Sequence, residues 1–211
     1  MTNKGQLIIM SGFSGSGKGT ITKMLLDNYQ DEYALSISAT TRAPRAGEQE
    51  GVHYFFLTRE AFEKMISENA FLEYAQYVEN YYGTPKKYVE DQLALGKNVI
   101  LEIEIQGALQ VKKMMPEALL LFVTPPSASE LESRLRGRGT ETEEVIASRI
   151  ARAVQEAEGC EVYDYLVVND KLEDSVALIH QIIQTEKHKM NLNIKLINQI
   201  RKELNEISKG E

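Results

Sequence analysis

The segment Gly12-Phe13-Ser14-Gly15-Ser16-Gly17-Lys18-Gly19-Thr20 has the residue types and spacing of a loop that cradles phosphate. Its glycines let the backbone turn so that successive N–H groups face an anion. A helix opening at Lys18 would add the positive end of its dipole. The Lys18 ammonium would then reach the β- and γ-phosphates of a nucleoside triphosphate. The hydroxyl that usually follows this lysine is missing, because Gly19 stands there and the next hydroxyl is Thr20. Direct Mg2+ coordination by the loop is therefore left open. A second set of candidates lies in Ser38-Ala39-Thr40-Thr41-Arg42-Ala43-Pro44-Arg45-Ala46-Gly47. Arg42 and Arg45, three apart and flanking a proline, suit multidentate recognition of a phosphate dianion. Tyr54 and the Tyr81-Tyr82-Gly83 turn would add neutral hydroxyl donors. The same residues also fit a solvated loop with structural tyrosines.

These groups need elements to hold them. Short apolar runs at Gln6–Ser11, Asn98–Glu104, Ala118–Thr124 and Tyr163–Val168 alternate with helical periods, the first helix covering Lys18–Tyr29. Buried strands alternating with helices imply an α/β fold, a parallel sheet with helices on both faces. Ligands of such sheets sit at the carboxyl ends of the strands, where the phosphate loop falls. Two segments break the rhythm. Residues 34–88, with strand-like pieces at His53–Leu57 and Phe71–Tyr77, read as a small antiparallel insertion. Residues 126–159 read as two charged, poorly buried helices around a Gly-Arg-Gly hinge, a candidate mobile lid. The core is then 1–33, 89–125 and 160–211, and helical period runs from Leu172 to about Ser208.

Glu102 and Glu104 lie two apart, so on a strand they share one face. An unpaired carboxylate inside a central strand would cost several kcal/mol, on the order of 2–7. They are expected at the carboxyl end of the strand, in the site, with pairing to a nearby Lys or Arg as the alternative.

Composition narrows the partners. The chain of 211 residues is 43% hydrophobic, enough for a real core in one domain. Its net charge of −7 argues against a general nucleic-acid binder but not against a small anion that feels a local field. No apolar run approaches the roughly 20 residues of a membrane span, and the first residues are too short and strand-like for a secretory signal. The single cysteine, Cys160, fits a reducing, cytoplasmic compartment.

Beyond the loop, the chain resembles the guanylate kinase family from residue 6 to about 184. The resemblance is carried, in order, by the run from Ser38 to Gly47, Gly51-Val-His-Tyr-Phe-Phe, Phe71-Leu-Glu-Tyr-Ala, Asn80-Tyr-Tyr-Gly-Thr, Leu101-Glu-Ile-Glu-Ile-Gln-Gly, Arg136-Gly-Arg-Gly-Thr-Glu and Val168-Asn-Asp. It implies a P-loop nucleoside-monophosphate kinase with a GMP-binding insertion at 34–88 and a helical lid at 126–159. The implied reaction moves the γ-phosphate of ATP to GMP, and with it dGMP, assisted by Mg2+. By the same resemblance, Glu73 reads guanine, whose N1–H and N2–H₂ can both donate to a carboxylate. Ser38 and Thr84 sit near the base, and Arg42, Arg45, Tyr54 and Tyr82 hold the GMP phosphate. Glu104 reaches the guanine amino group, and Glu102 orients Mg2+-bound water or Lys18. Family members often carry Asp at one or both of these positions. Arg138 and Arg149 close on the donor phosphates, and Asn169 meets adenine. Arg134, Arg136 and Arg152 complete the cations of the lid, some of which should pair with the glutamates at 141–144.

Two other readings stand beside this one. A guanylate-kinase-like scaffold that binds peptides would lack an intact phosphate loop, which this chain keeps. A kinase for another acceptor base conflicts with Glu73. The tail beyond residue 186 could pack on the core or on another subunit, which leaves a homo-oligomer open.

Overall fold

The computed structural model describes residues 5–137 and 142–209. Five strands form a parallel sheet: β1 (Leu7–Gly12), β2 (Tyr33–Leu35), β7 (Asn98–Glu102), β8 (Leu119–Thr124) and β9 (Tyr165–Val168), in the order β2-β7-β1-β8-β9. Strand β1 is central, and the chain leaves to opposite sides of it. The loop after β1 therefore emerges at the topological switch point.

The near-continuous apolar run of β1 is explained by burial on both faces. Ile8 and Met10 face a core built with Ile21 and Leu25 of α1 (Lys18–Asn28) and Val176, Ile179 and Ile183 of α7 (Leu172–Glu186). Leu7 and Ile9 face the other core, with Val89 and Leu93 of α3 (Lys86–Ala94) and Ala108 and Val111 of α4 (Ile105–Met114). All four β1 side chains are at most 3% exposed. Removing one, as in Ile→Ala, typically costs about 2–5 kcal/mol.

The insertion holds a second sheet, β4-β3-β6-β5, made of β3 (Ala39–Thr40), β4 (Phe55–Phe56), β5 (Phe71–Tyr77) and β6 (Asn80–Pro85). Its expected antiparallel character needs correcting in one pair. β5/β6 and β3/β6 are antiparallel, but β3/β4 is parallel, because the chain between them runs back through the arginine loop. Helix α2 (Arg59–Ser67), capped by Thr58 accepting from Ala61 N–H at 3.2 Å, presses Phe62 onto Phe71 and Tyr81 with ring centroids 4.3 and 5.2 Å apart.

The two helices of the expected lid are α5 (Ala128–Gly137) and α6 (Glu143–Ala157). They bury more than their charge suggests: Leu131, Leu135, Ile146 and Ala153 form a cluster with Phe13 of the phosphate loop. The C-terminal helical stretch is broken. After α7 the chain turns at 187–189, where Lys189 donates to the buried Glu186 carboxylate at 2.6 Å, and α8 (Met190–Ser208) begins. α8 buries none of its side chains. Single changes at such surface positions typically alter stability within about 0.5 kcal/mol, and α8 adds no fully buried side chain to the core. Truncation after Lys189 is therefore expected to leave urea-unfolding stability unchanged within about 0.5 kcal/mol, and a loss of several kcal/mol would show that α8 is packed in solution.

Candidate active site

The phosphate loop is held from three sides. Gly12 has φ +142°, and a Cβ there would come within 2.0 Å of the Val123 carbonyl oxygen on β8. Gly17 has φ +97°, and its Cβ would meet the Asn169 amide nitrogen at 2.3 Å. Only glycine fits both the angles and the spaces. Helix α1 starts at Lys18 with no side-chain cap on Gly17 and no acid in its first turn. Its first N–H groups and dipole are thus directed at whatever lies in the loop. The Lys18 ammonium donates to the carbonyls of Gly12 and Phe13 at 2.7 and 3.0 Å. Arg149, on lid helix α6, donates to Ser14 Oγ at 2.7 Å, and Leu135 packs on Gly15.

Asn169, expected near adenine, is 5% exposed with its amide already engaged. It donates to the Ser16 carbonyl at 2.8 Å and accepts from Ser175 Oγ at 3.2 Å. In this structure it braces the loop from beneath. Gly19 and Thr20 are exposed on the first turn of α1. Arg138 lies outside the described residues.

Glu102 ends β7, exposed, with Oε2 3.8 Å from the point where a Gly19 Cβ would stand. Glu104 lies past the strand, at the N-cap of α4. The expectation that the two share one strand face is therefore corrected: the strand stops at Glu102, and the turn into α4 sends the carboxylates to different cavities. Glu102 lines one of about 540 Å³ with Gly19, Ser38, Tyr54 and Thr84. Glu104 lines another of about 570 Å³ with Arg152 and Glu156 of α6.

Glu73 sits where the β5/β6 register shifts between Phe71 and Glu73, a bulge that turns its side chain toward α4. Thr84, its cross-strand partner, donates to Glu73 Oε1 at 2.6 Å. The other oxygen faces Gly107, where a Cβ would lie 3.2 Å away. Burial raises the Glu73 carboxyl above the usual carboxylate range, and the nearby negative charge of Glu104 adds to this.

Arg42, Arg45, Tyr54 and Tyr82 come together around the arginine loop. The Arg42 guanidinium stacks on the Tyr54 ring at 5.5 Å, and the Tyr54 and Tyr82 rings are 6.3 Å apart. Glu48, which the sequence reading missed, takes Arg42 in a fork at 2.9 and 3.0 Å and accepts from the Arg45 backbone N–H at 2.7 Å. That pairing holds the Glu48 carboxyl below its usual range. An acid three residues after Arg45, at the close of the same short loop, was the available signal.

The remaining lid cations follow the expected fate of helix-surface charge. Arg134 pairs with Glu130 at 2.7 Å, and Arg136 with Glu132 and Glu143. Arg152 instead crosses to Glu104 on α4. Glu156, also missed, lies in the electrostatic reach of Lys18, with Oε2 buried and unpartnered among the described residues.

Comparison with known proteins follows the same lines. The family model described as Guanylate kinase matches residues 4–186. A guanylate kinase of Listeria monocytogenes serotype 4b (strain F2365) is 51% identical over 186 residues, covering 88% of this chain and 91% of the relative. One from Synechocystis sp. (strain ATCC 27184 / PCC 6803 / Kazusa) is 50% identical over 184 residues, covering 87% and 96%. The crystal structure of guanylate kinase from Anaplasma phagocytophilum is similar with a TM-score of 0.68 at 33% identity, covering 89% of this chain and 88% of that one.

The raised carboxyl of Glu73 gives a signed prediction. Its ionised form is disfavoured by burial, so its contribution to stability falls as pH rises from the ordinary carboxylate range through the raised value. Glu73→Gln removes that charge and keeps an acceptor for Thr84. At pH 7 the variant is expected to melt about 2 °C or more above the unchanged protein, with the gap closing as pH falls from the raised value to the ordinary carboxylate range. A lower melting temperature at pH 7 would mean that the carboxylate is stabilising where it stands.

Proposed function

The chain belongs to the guanylate kinase family, and from that premise we infer that it moves the γ-phosphate of ATP onto GMP, giving ADP and GDP. The observation that carries the reading is the pairing of an intact phosphate loop with a half-buried, bulge-directed Glu73. The first serves any nucleoside triphosphate, while the second selects the acceptor base.

ATP lies with its β- and γ-phosphates against the loop N–H groups and the first turn of α1. Lys18 leaves the Gly12 and Phe13 carbonyls for these oxygens, and Arg149, already at Ser14, neutralises charge that develops on the transferred group. Arg138 is assigned the same task on sequence grounds. GMP spans the insertion, its base at Glu73, Thr84 and Ser38, with Glu104 reaching its amino edge across the first turn of α4, and its phosphate at Arg42, Arg45, Tyr54 and Tyr82. Glu73 accepts from N1–H and N2–H₂, which adenine cannot offer together. No strong general base is required, since the attacking phosphate oxygen is already anionic. Transfer is in line, with the protein supplying position and charge. Closure of residues 34–88 and 126–159 excludes the water that would hydrolyse ATP.

Mg2+ enters with ATP. Among the described residues no three His, Cys, Asp or Glu side chains converge on one point. The residues present suit an ion that arrives on the triphosphate and keeps several waters. Glu102, opposite Gly19, would accept from one of those waters, and the exposed Thr20 hydroxyl lies on the same turn. When bound, the ion would supply positive charge against the triphosphate.

The test is a steady-state assay with ATP and a panel of nucleoside monophosphates, in which GMP is expected to dominate kcat/KM. In Glu73→Gln, the amide NH₂ faces the guanine donors, and kcat/KM for GMP is expected to fall by about 10⁴. Equal use of AMP, or GMP kinetics unchanged in Glu73→Gln, would remove Glu73 from the base pocket. Lys18→Ala should lose nearly all turnover while its melting temperature holds. Turnover that survives in a folded Lys18→Ala protein would defeat the assignment of the donor site.

A further inference from the structure

Arg149, Arg152 and Glu156 lie at i, i+3 and i+7 of α6, so they occupy one face of the lid helix. Each end of that face meets the donor site: Arg149 donates to Ser14 Oγ, and Glu156 stands in the field of Lys18. Arg152, between them, leaves the lid and pairs through Nη2 with Oε2 of Glu104. Its Nε lies 3.4 Å from Glu156 Oε1, so a carboxylate on its own helix steadies the same guanidinium.

The Arg152 and Glu104 side chains are 46% and 66% exposed. An ion pair that open contributes only about 0–1 kcal/mol to folding. What it does fix is orientation. Glu104 is the N-cap residue of α4, three residues before Gly107, and the Glu73 carboxylate faces that same first turn. The charge of Glu104 is felt at Glu73 across the turn. Arg152 engages one Glu104 oxygen, and a carboxylate has a second with its own lone pairs for a ligand's amino group.

We propose that Arg152 is a positioning residue: by clasping Glu104 it ties the lid helix that meets ATP to the carboxylate at the edge of the guanine pocket. The inference rests on the acceptor reading given above. When ATP draws α6 inward through Arg149, Arg152 carries the constraint to Glu104, and the base pocket is set before GMP arrives. Coupling of this kind works in both directions, so GMP tightens ATP by the same factor.

The experiment measures GMP dissociation constants by calorimetry, with and without saturating β,γ-imido ATP and Mg2+. The unchanged protein is expected to bind GMP about 5-fold or more tightly with the analogue present. In Arg152→Ala the ratio should fall to near one, and KM for GMP should rise with a smaller change in kcat. Arg152→Lys, which keeps the charge without the fork, should recover part of the ratio. Glu104→Gln, which keeps the shape without the charge, should lose it as Arg152→Ala does. Melting temperatures within about 2 °C of the unchanged protein are expected for the Arg152 variants, as befits an exposed pair. A ratio in Arg152→Ala equal to that of the unchanged protein, or no coupling in the unchanged protein itself, overturns the proposal. Failure of the unchanged protein to phosphorylate GMP is a separate result and falls on the acceptor reading instead.

Discussion

An α-helix that begins without a cap leaves its first backbone N–H groups unsatisfied, and in this protein that deficit sits at the centre of the molecule. α1 starts at Lys18 behind a left-handed Gly17, with neither a side-chain cap nor an acidic first turn. Capping by Ser, Thr, Asp or Asn typically contributes about 0.5–2 kcal/mol, so the omission is a stability loss taken at one defined place. The rest of the core makes that loss tolerable. Strand β1 is sealed on both faces, and β8 approaches so closely that only glycine fits at position 12. Asn169 reaches up from the end of β9 to hold the Ser16 carbonyl. A loop so braced can keep its N–H groups turned inward with no anion present, which is what preorganisation requires.

The same logic governs the cations. Lys18 rests on backbone carbonyls, Arg42 on Glu48 and Arg152 on Glu104. Exposed ion pairs are worth about 0–1 kcal/mol, whereas hydrogen bonds from charged donors are worth about 1.5–3 each. A phosphate dianion with several oxygens can displace or join such partners at small cost. Holding the cations on partners that phosphate oxygens can replace keeps them ordered without locking them. It also explains how a chain of net charge −7 presents local sites for anions, since Glu48 is placed where it orients an arginine fork.

Several elements could be read from sequence because their causes are local. The glycines of the phosphate loop, the apolar run of β1 and the strand Phe71–Tyr77 each carry their own pattern, and the observed spans follow it closely. What could not be read depends on contacts between distant segments. The spacing of Glu102 and Glu104 implied one face only while both lay on a strand, and the end of β7 is set by the turn into α4. Asn169 is a loop brace because β9 delivers it beneath Ser16, some 150 residues away in sequence. The lid looked poorly buried because its charges outnumber its apolar residues. Its cluster is completed by Phe13, which belongs to the phosphate loop. The parallel β3/β4 pair has the same origin, since strands of two residues have no periodicity to read.

On the proposed acceptor reading, Glu73 is where function prevails over stability. A carboxylate turned by a bulge into a covered pocket, with one threonine as its hydrogen-bond partner and Glu104 close by, is poorly solvated for its charge. A glutamine would lie there more comfortably. On the proposed reading the charged acceptor has a use, because a purine that offers two adjacent N–H donors meets two acceptor oxygens only in the ionised form. Adenine, lacking the N1 proton, would leave that carboxylate both desolvated and unpaired, and the unpaired partner is what makes such a site selective. The unfavourable burial in the free protein and the discrimination between bases are thus one property of one side chain. Relieving the first by mutation removes the second.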